Sequence, residues 1–283
     1  MDLHASPFLV KILLETVAWP LLAVATLFVL GLLLQWRHVP QQAVHAWDDL
    51  AIGAGFLIAY GLIYRGFSFP PAQVLDWLPP LVVATWIAFA VGGNRAPWRL
   101  WLQGLLVLVV SGLLLAPILN QVGFTRGMMI LLTAFALWFA TWAYTDRNAW
   151  QEVSGGIPLL VAAVGHAVVV ALGGSVLLGQ LSGALAVCLG TWLILTRLPA
   201  RRLTGRFGRG MAVLILGSLM LIGRYYAETP VAAVLLLVVT LGADAPVLAL
   251  KRFRRLPVPG AVLSGLIAFV PAAASVWLTA ATH

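Results

Sequence analysis

Charge is what this sequence has least of. Only 9% of its 283 residues are Asp, Glu, Lys or Arg, against roughly 25% in an ordinary soluble domain. Since 62% of the chain is hydrophobic and the mean hydropathy is +1.01, no water-soluble fold of this length could cover its apolar surface, and lipid must be the solvent. Cysteine is almost missing too. Cys188 stands alone in an apolar run, which excludes an intrachain disulfide and a Cys-based metal site and leaves it a small packing residue. Lysine occurs only as Lys11 and Lys251. The N-terminus has neither a basic leader nor a small-residue cleavage site, so the first apolar run reads as a retained helix. Long polar loops are lacking, which leaves no room for a separate soluble domain and makes residues 1–283 one transmembrane helical domain. A Gly-rich phosphate loop, HExxH and Gly-x-Ser-x-Gly are all absent.

What is present is apolar runs of about 20 residues, the length a helix needs to cross the hydrocarbon core. They predict an all-α, polytopic integral membrane protein of about ten transmembrane helices in hairpins. The runs cover roughly 8–35, 46–64, 77–92, 98–119, 127–144, 156–173, 177–196, 209–226, 230–250 and 260–280. Nine is the alternative count, because the sixth and seventh meet at Gly173-Gly174 with no charge between them. With ten, 13 of the 17 basic residues fall on one side and 4 on the other. Positive loops stay in the cytoplasm, so both termini are predicted to be non-cytoplasmic. The same rule explains the net charge of +8 without nucleic acid. High Ala, Leu, Gly and Arg usage points to a bacterial inner (plasma) membrane.

The stretch Arg224–Arg255 concentrates the chemistry. Arg224 and Glu228, four apart, are expected to pair. Asp244 follows a long apolar run and is flanked by Gly242 and Pro246. Counted back from Lys251 at 1.5 Å per residue, it lies about 10 Å inside the cytoplasmic end. Pro246 has no amide to give the carbonyl of Gly242. An acid beside an opened helix turn has the local physics of the cation and proton sites on broken transporter helices. The bland alternative is a partnered aspartate packing a kinked helix.

Other intramembrane polar residues are few. His166 falls near mid-span, where an imidazole is either hydrogen-bonded to a neighbouring helix, a relay for protons, or a haem or metal ligand. No second mid-membrane histidine exists to complete a bis-histidine haem site, and neither cofactor nor metal is expected. His45, Asp48 and Asp49 open the second helix. They are either caps favoured by the helix dipole or the mouth of a proton path. Arg197, Arg201, Arg202, Arg206 and Arg209 fill one loop without an acid. They set topology and meet the anionic inner leaflet, or contact a lipid headgroup. Lys11 and Glu15 read as an i,i+4 clasp, Trp19-Pro20 as a bend, and Ala51, Gly55 and Ala59 as a close-packing face. Gln103 lies inside the fourth helix and needs a partner.

Three functions fit. The first is a permease for a small solute or ion, proton-coupled through Asp244 with His166 and the Asp48–Asp49 pair as relay. The second is an accessory, assembly or scaffold subunit of a larger membrane complex, with partner subunits or further copies of itself. The third, weakest for want of a nucleophile–base pair, is an intramembrane enzyme acting on a lipid.

Overall fold

In a computed structural model the described residues are 7–36, 41–92, 96–148, 156–196, 206–253 and 259–282. They are all-helical, with no strand among them. The helices are α1 (Pro7–Leu13), α2 (Trp19–Trp36), α3 (Gln41–Ile63), α4 (Leu78–Gly92), α5 (Ala96–Leu119) and α6 (Phe124–Asn148). They continue as α7 (Ile157–Leu172), α8 (Val176–Thr196), α9 (Arg206–Tyr226), α10 (Val231–Leu241), α11 (Asp244–Phe253) and α12 (Gly260–Thr282). Six helical stretches are long and apolar enough to cross a membrane: Val10–Gly31, Leu100–Leu119, Phe124–Asp146, Val176–Thr196, Val231–Ala249 and Gly260–Thr282. Leu50–Ile63, Val74–Ala88 and Ile157–Leu172 are apolar but shorter.

Local sequence explains the breaks. α1 and α2 are joined by a π-helical turn, Leu14–Ala18, in which the Trp19 amide bonds back to the Leu14 carbonyl. Pro20 follows immediately, so the expected bend takes the form of a widened turn. Glu15 in that turn is 3.9 Å from Lys11 and 3.6 Å from Arg65 beyond the end of α3. The clasp therefore ties two helices together as well as one turn. Between α7 and α8 the chain reverses in three residues. Gly174 sits at φ 90°, the Ser175 amide reaches the Val170 carbonyl at 2.9 Å, and the Gly174 amide reaches Ala171 at 3.1 Å. This is a Schellman turn, whose left-handed position suits glycine.

α9 is the post of the bundle. Met211–Leu216, Leu219 and Ile222 are buried, with α3, α4, α5, α6 and α8 packed around them. α7 packs on α8 and α12, α12 on α10, and α2 on α3. Small residues allow these approaches. Ala51 and Ala59 are buried. A Cβ on Gly55 would meet Val24 of α2 at 2.7 Å and the Cys188 sulfur of α8 at 2.9 Å. Cys188 is itself fully buried and free. By contrast α6 and α10 touch little, and a gap opens between them over α9.

Candidate functional site

That gap is a groove of about 230 Å³ walled by α6 and α10 and floored by α9. Its lining is nearly all hydrocarbon, including Leu137, Val213, Val234 and Val238. Arg224 and Tyr225 stand at one end and Leu241 at the other. Trp138 of α6 lies between. The Trp138 indole is buried, and its Nε1 has no hydrogen-bond partner.

Leu241 also lines a second, smaller cavity of about 30 Å³, with Thr145, Gly156, Pro158, Leu159, Arg209 and Asp244. The groove thus ends where α10 breaks. Across residues 239–245 the backbone bonds shorten to i→i+3: Gly242 to Val239 at 2.9 Å, Ala243 to Thr240 at 3.2 Å, and Ala245 to Gly242 at 3.0 Å. Asp244 begins α11 and Pro246 lies in its first turn, where a missing amide costs little.

One expectation about this stretch needs correction. The Gly242 carbonyl, deprived of its usual donor by Pro246, is not open. It accepts from the Ala245 amide at 3.0 Å and from the Tyr144 hydroxyl of α6 at 3.4 Å. Thr145, Gly156, Arg209 and Ser264 lie within about a turn of the ends of α6, α7, α9 and α12, and Asp244 is level with them. Asp244 Oδ1 accepts from the Ser264 hydroxyl at 2.5 Å.

His166 is fully buried on α7. Its Nδ1 is 2.9 Å from the Ser182 hydroxyl of α8, so the imidazole does have the interhelical partner its depth requires. The other ring nitrogen, Nε2, faces Gly223 of α9, where a Cβ would lie 3.0 Å from it and 3.3 Å from Thr229 Oγ1. Neither Nε2 nor Thr229 Oγ1 has a hydrogen-bond partner. His166 and Asp244 line no common cavity among those described. Gln103 is buried on α5 with both amide atoms unpartnered. Among the described residues no three His, Cys, Asp or Glu side chains gather as metal ligands.

His45, Asp48 and Asp49 lie on the first turns of α3, but their side chains fall outside the described ones. Arg197, Arg201 and Arg202 lie outside the described residues, as does the side chain of Arg206 at the start of α9. Of that basic loop only Arg209 is placed, in the Asp244 cavity. Arg224 and Glu228 do not pair. Arg224 Nη1 donates to the Thr229 carbonyl at 3.3 Å and its Cζ is 5.6 Å from the Tyr225 ring centroid. Glu228 is exposed at φ 52°.

One acid escaped sequence reasoning. Asp76, in the loop before α4, is fully buried. Its Oδ2 accepts from the Ser68 hydroxyl at 2.8 Å and from the Gln73 and Ala72 amides at 2.9 and 3.0 Å. Burial opposes its ionisation. The bonds from Gln73, Ser68 and Ala72 outweigh that and hold the carboxyl below its usual pKa of 3.8. Tyr60 and Tyr64 tie the same loop to α3, bonding the Leu75 carbonyl at 3.1 Å and Gln73 Oε1 at 3.0 Å.

Compared with known proteins, the chain matches no family model, no curated protein and no solved structure.

Proposed function

We propose that the chain is a carrier of the bacterial inner membrane that moves a small, largely apolar solute through the α6–α9–α10 groove. In this reading ten helical segments cross the bilayer, α1 with α2 and α10 with α11 each counting as one, and both termini face away from the cytoplasm. The observation that carries it is the meeting of groove and broken helix. Leu241 lines both cavities, so the groove is stopped by the segment that Tyr144 and Ser264 hold in place. A short helix break tied to α6 by Tyr144 and to α12 by Ser264 suits a gate, since side-chain bonds can be exchanged as the segment moves. Asp244 and Arg209 stand on the cytoplasmic side of that stop, and Asp244 is the residue through which protons would couple to movement.

Accessibility tests the reading without a known solute. In a Cys188→Ala background, Leu241→Cys is labelled with a membrane-impermeant maleimide in right-side-out and in inverted vesicles. A carrier exposes this position to both faces in turn, so both preparations react. Reaction from one face only, at every temperature tried, overturns it.

The second reading, an accessory subunit of a membrane complex, draws on the same groove. A slot lined almost wholly by hydrocarbon also suits a helix of a partner protein. Mild extraction from the native membrane separates the two. Other polypeptides in fixed ratio would favour the subunit, and a particle of this chain alone the carrier.

A further inference from the structure

We infer that the groove takes a long-chain fatty acid, its carboxylate on Arg224 and its alkyl chain running past Trp138 towards Leu241. This rests on the carrier reading and names its class of solute.

Arg224 is the one charged residue among those lining the groove. A guanidinium beside hydrocarbon is stabilised by an anion. Yet among the described residues no carboxylate lies within ion-pair distance, and Glu228, four residues on and past the end of α9, is unpaired with it. The single hydrogen bond Arg224 makes, to the Thr229 carbonyl, uses Nη1. That leaves the Nε–Nη2 edge, whose two parallel N–H bonds match a carboxylate. Below the arginine every lining group is apolar or aromatic down to Leu241, save the Thr133 and Thr141 hydroxyls. Thr141 spends its hydroxyl on the Leu137 carbonyl of its own helix at 2.7 Å. The Trp138 indole stands part-way along, its Nε1 buried against Gly217 and so turned from the groove. Polarity at one end and hydrocarbon beyond is the profile of an amphiphile with a single acid. The slot is floored by α9 alone and walled by two helices that barely touch, which suits one chain better than the two of a phospholipid.

Binding is read by tryptophan quenching, so a failure of transport and a failure of this site are told apart. The protein is placed in phosphatidylcholine nanodiscs and titrated with stearate brominated at mid-chain. Saturable quenching is expected, most of it lost in Trp138→Phe. Unlabelled stearate should displace the probe, and stearyl alcohol should need at least tenfold more. Arg224→Gln should weaken binding at least tenfold, with part retained in Arg224→Lys. Equal affinity in Arg224→Gln overturns the proposal. So does quenching by brominated phosphatidylglycerol that stearate cannot displace, which would make the occupant a bilayer lipid. If Arg224→Gln does not fold, the acid-over-alcohol preference of the unaltered protein decides alone. Two-sided labelling of Leu241→Cys without stearate binding would leave a carrier for some other solute.

Discussion

The indole of Trp138 on α6 lies against the backbone of Gly217 on α9, so close that any Cβ there would overlap the ring. This contact sets how near α6 stands to the central post and therefore how wide the groove is. Gly217→Ala should cost about 1–3 kcal/mol, the usual range for overpacking a filled interior. Trp138→Leu in the same chain should return most of it. Unfolding in mixed detergent micelles measures both. If the double variant is no more stable than Gly217→Ala, the indole is not what fills that space.

His166 and Ser182 should behave as a coupled pair. Their bond joins α7 to α8, and both residues are fully buried. A double-mutant cycle with His166→Leu and Ser182→Ala is expected to give a coupling of about 0.6–2 kcal/mol, the range for polar contacts between membrane helices. Additive losses would mean that the imidazole and hydroxyl pack without bonding.

The same pair shows what the sequence could and could not tell. His166 lies eight residues before Gly174 and Ser182 eight after it. In an antiparallel hairpin turning at that glycine, positions equidistant from the turn come side by side, so this partner was legible. The apolar runs were legible too, because length and hydropathy alone mark them. The groove was not. In lipid the outward face of a helix is as apolar as the packed one, so periodicity gives no contrast between Val234, which lines the groove, and Val239, which is exposed. Tyr144 and Gly242 meet across 98 residues of chain, a separation no local pattern spans. Asp76 was missed because its partners are backbone amides, which carry no residue signature.

Asp76 should set the acid limit of its loop. Its folded pKa is depressed, so the stability it adds is present above its unfolded value and is lost as pH falls through the folded one. Residues 66–77 should therefore resist proteolysis unchanged from pH 8 to pH 5 and open only below the ordinary carboxylate value of 3.8. Asp76→Asn should be cleaved faster from pH 8 to pH 5, and the difference should vanish once Asp76 itself is protonated. A loop that opens between pH 7 and pH 5 would assign its order to another group.

Topology gives a direct check on ten crossings. If ten segments cross, thirteen basic residues fall on one side and four on the other, which favours termini outside the cytoplasm. Alkaline phosphatase fused after His283 should be active, and a fluorescent protein that matures only in the cytoplasm should be dark. The opposite pattern would mean an odd number of crossings or a reversed bundle.

Asp244 separates coupling from packing. Its carboxylate accepts from Ser264, and it shares a small cavity with Arg209. Asparagine keeps an acceptor for the hydroxyl but removes the charge; alanine removes both. If the group serves packing alone, Asp244→Asn should match the parent in every respect, and Asp244→Ala should lose about 0.6–2 kcal/mol. If it couples protons, Asp244→Asn should keep the parent's stability yet lose the pH dependence of two-sided labelling at Leu241→Cys. The second outcome is expected. The charge sits on the segment that Ser264 holds, and Ser264 can bond a neutral partner there equally well. Unchanged pH dependence in Asp244→Asn would remove Asp244 from the mechanism and leave the closure to Tyr144 and the backbone.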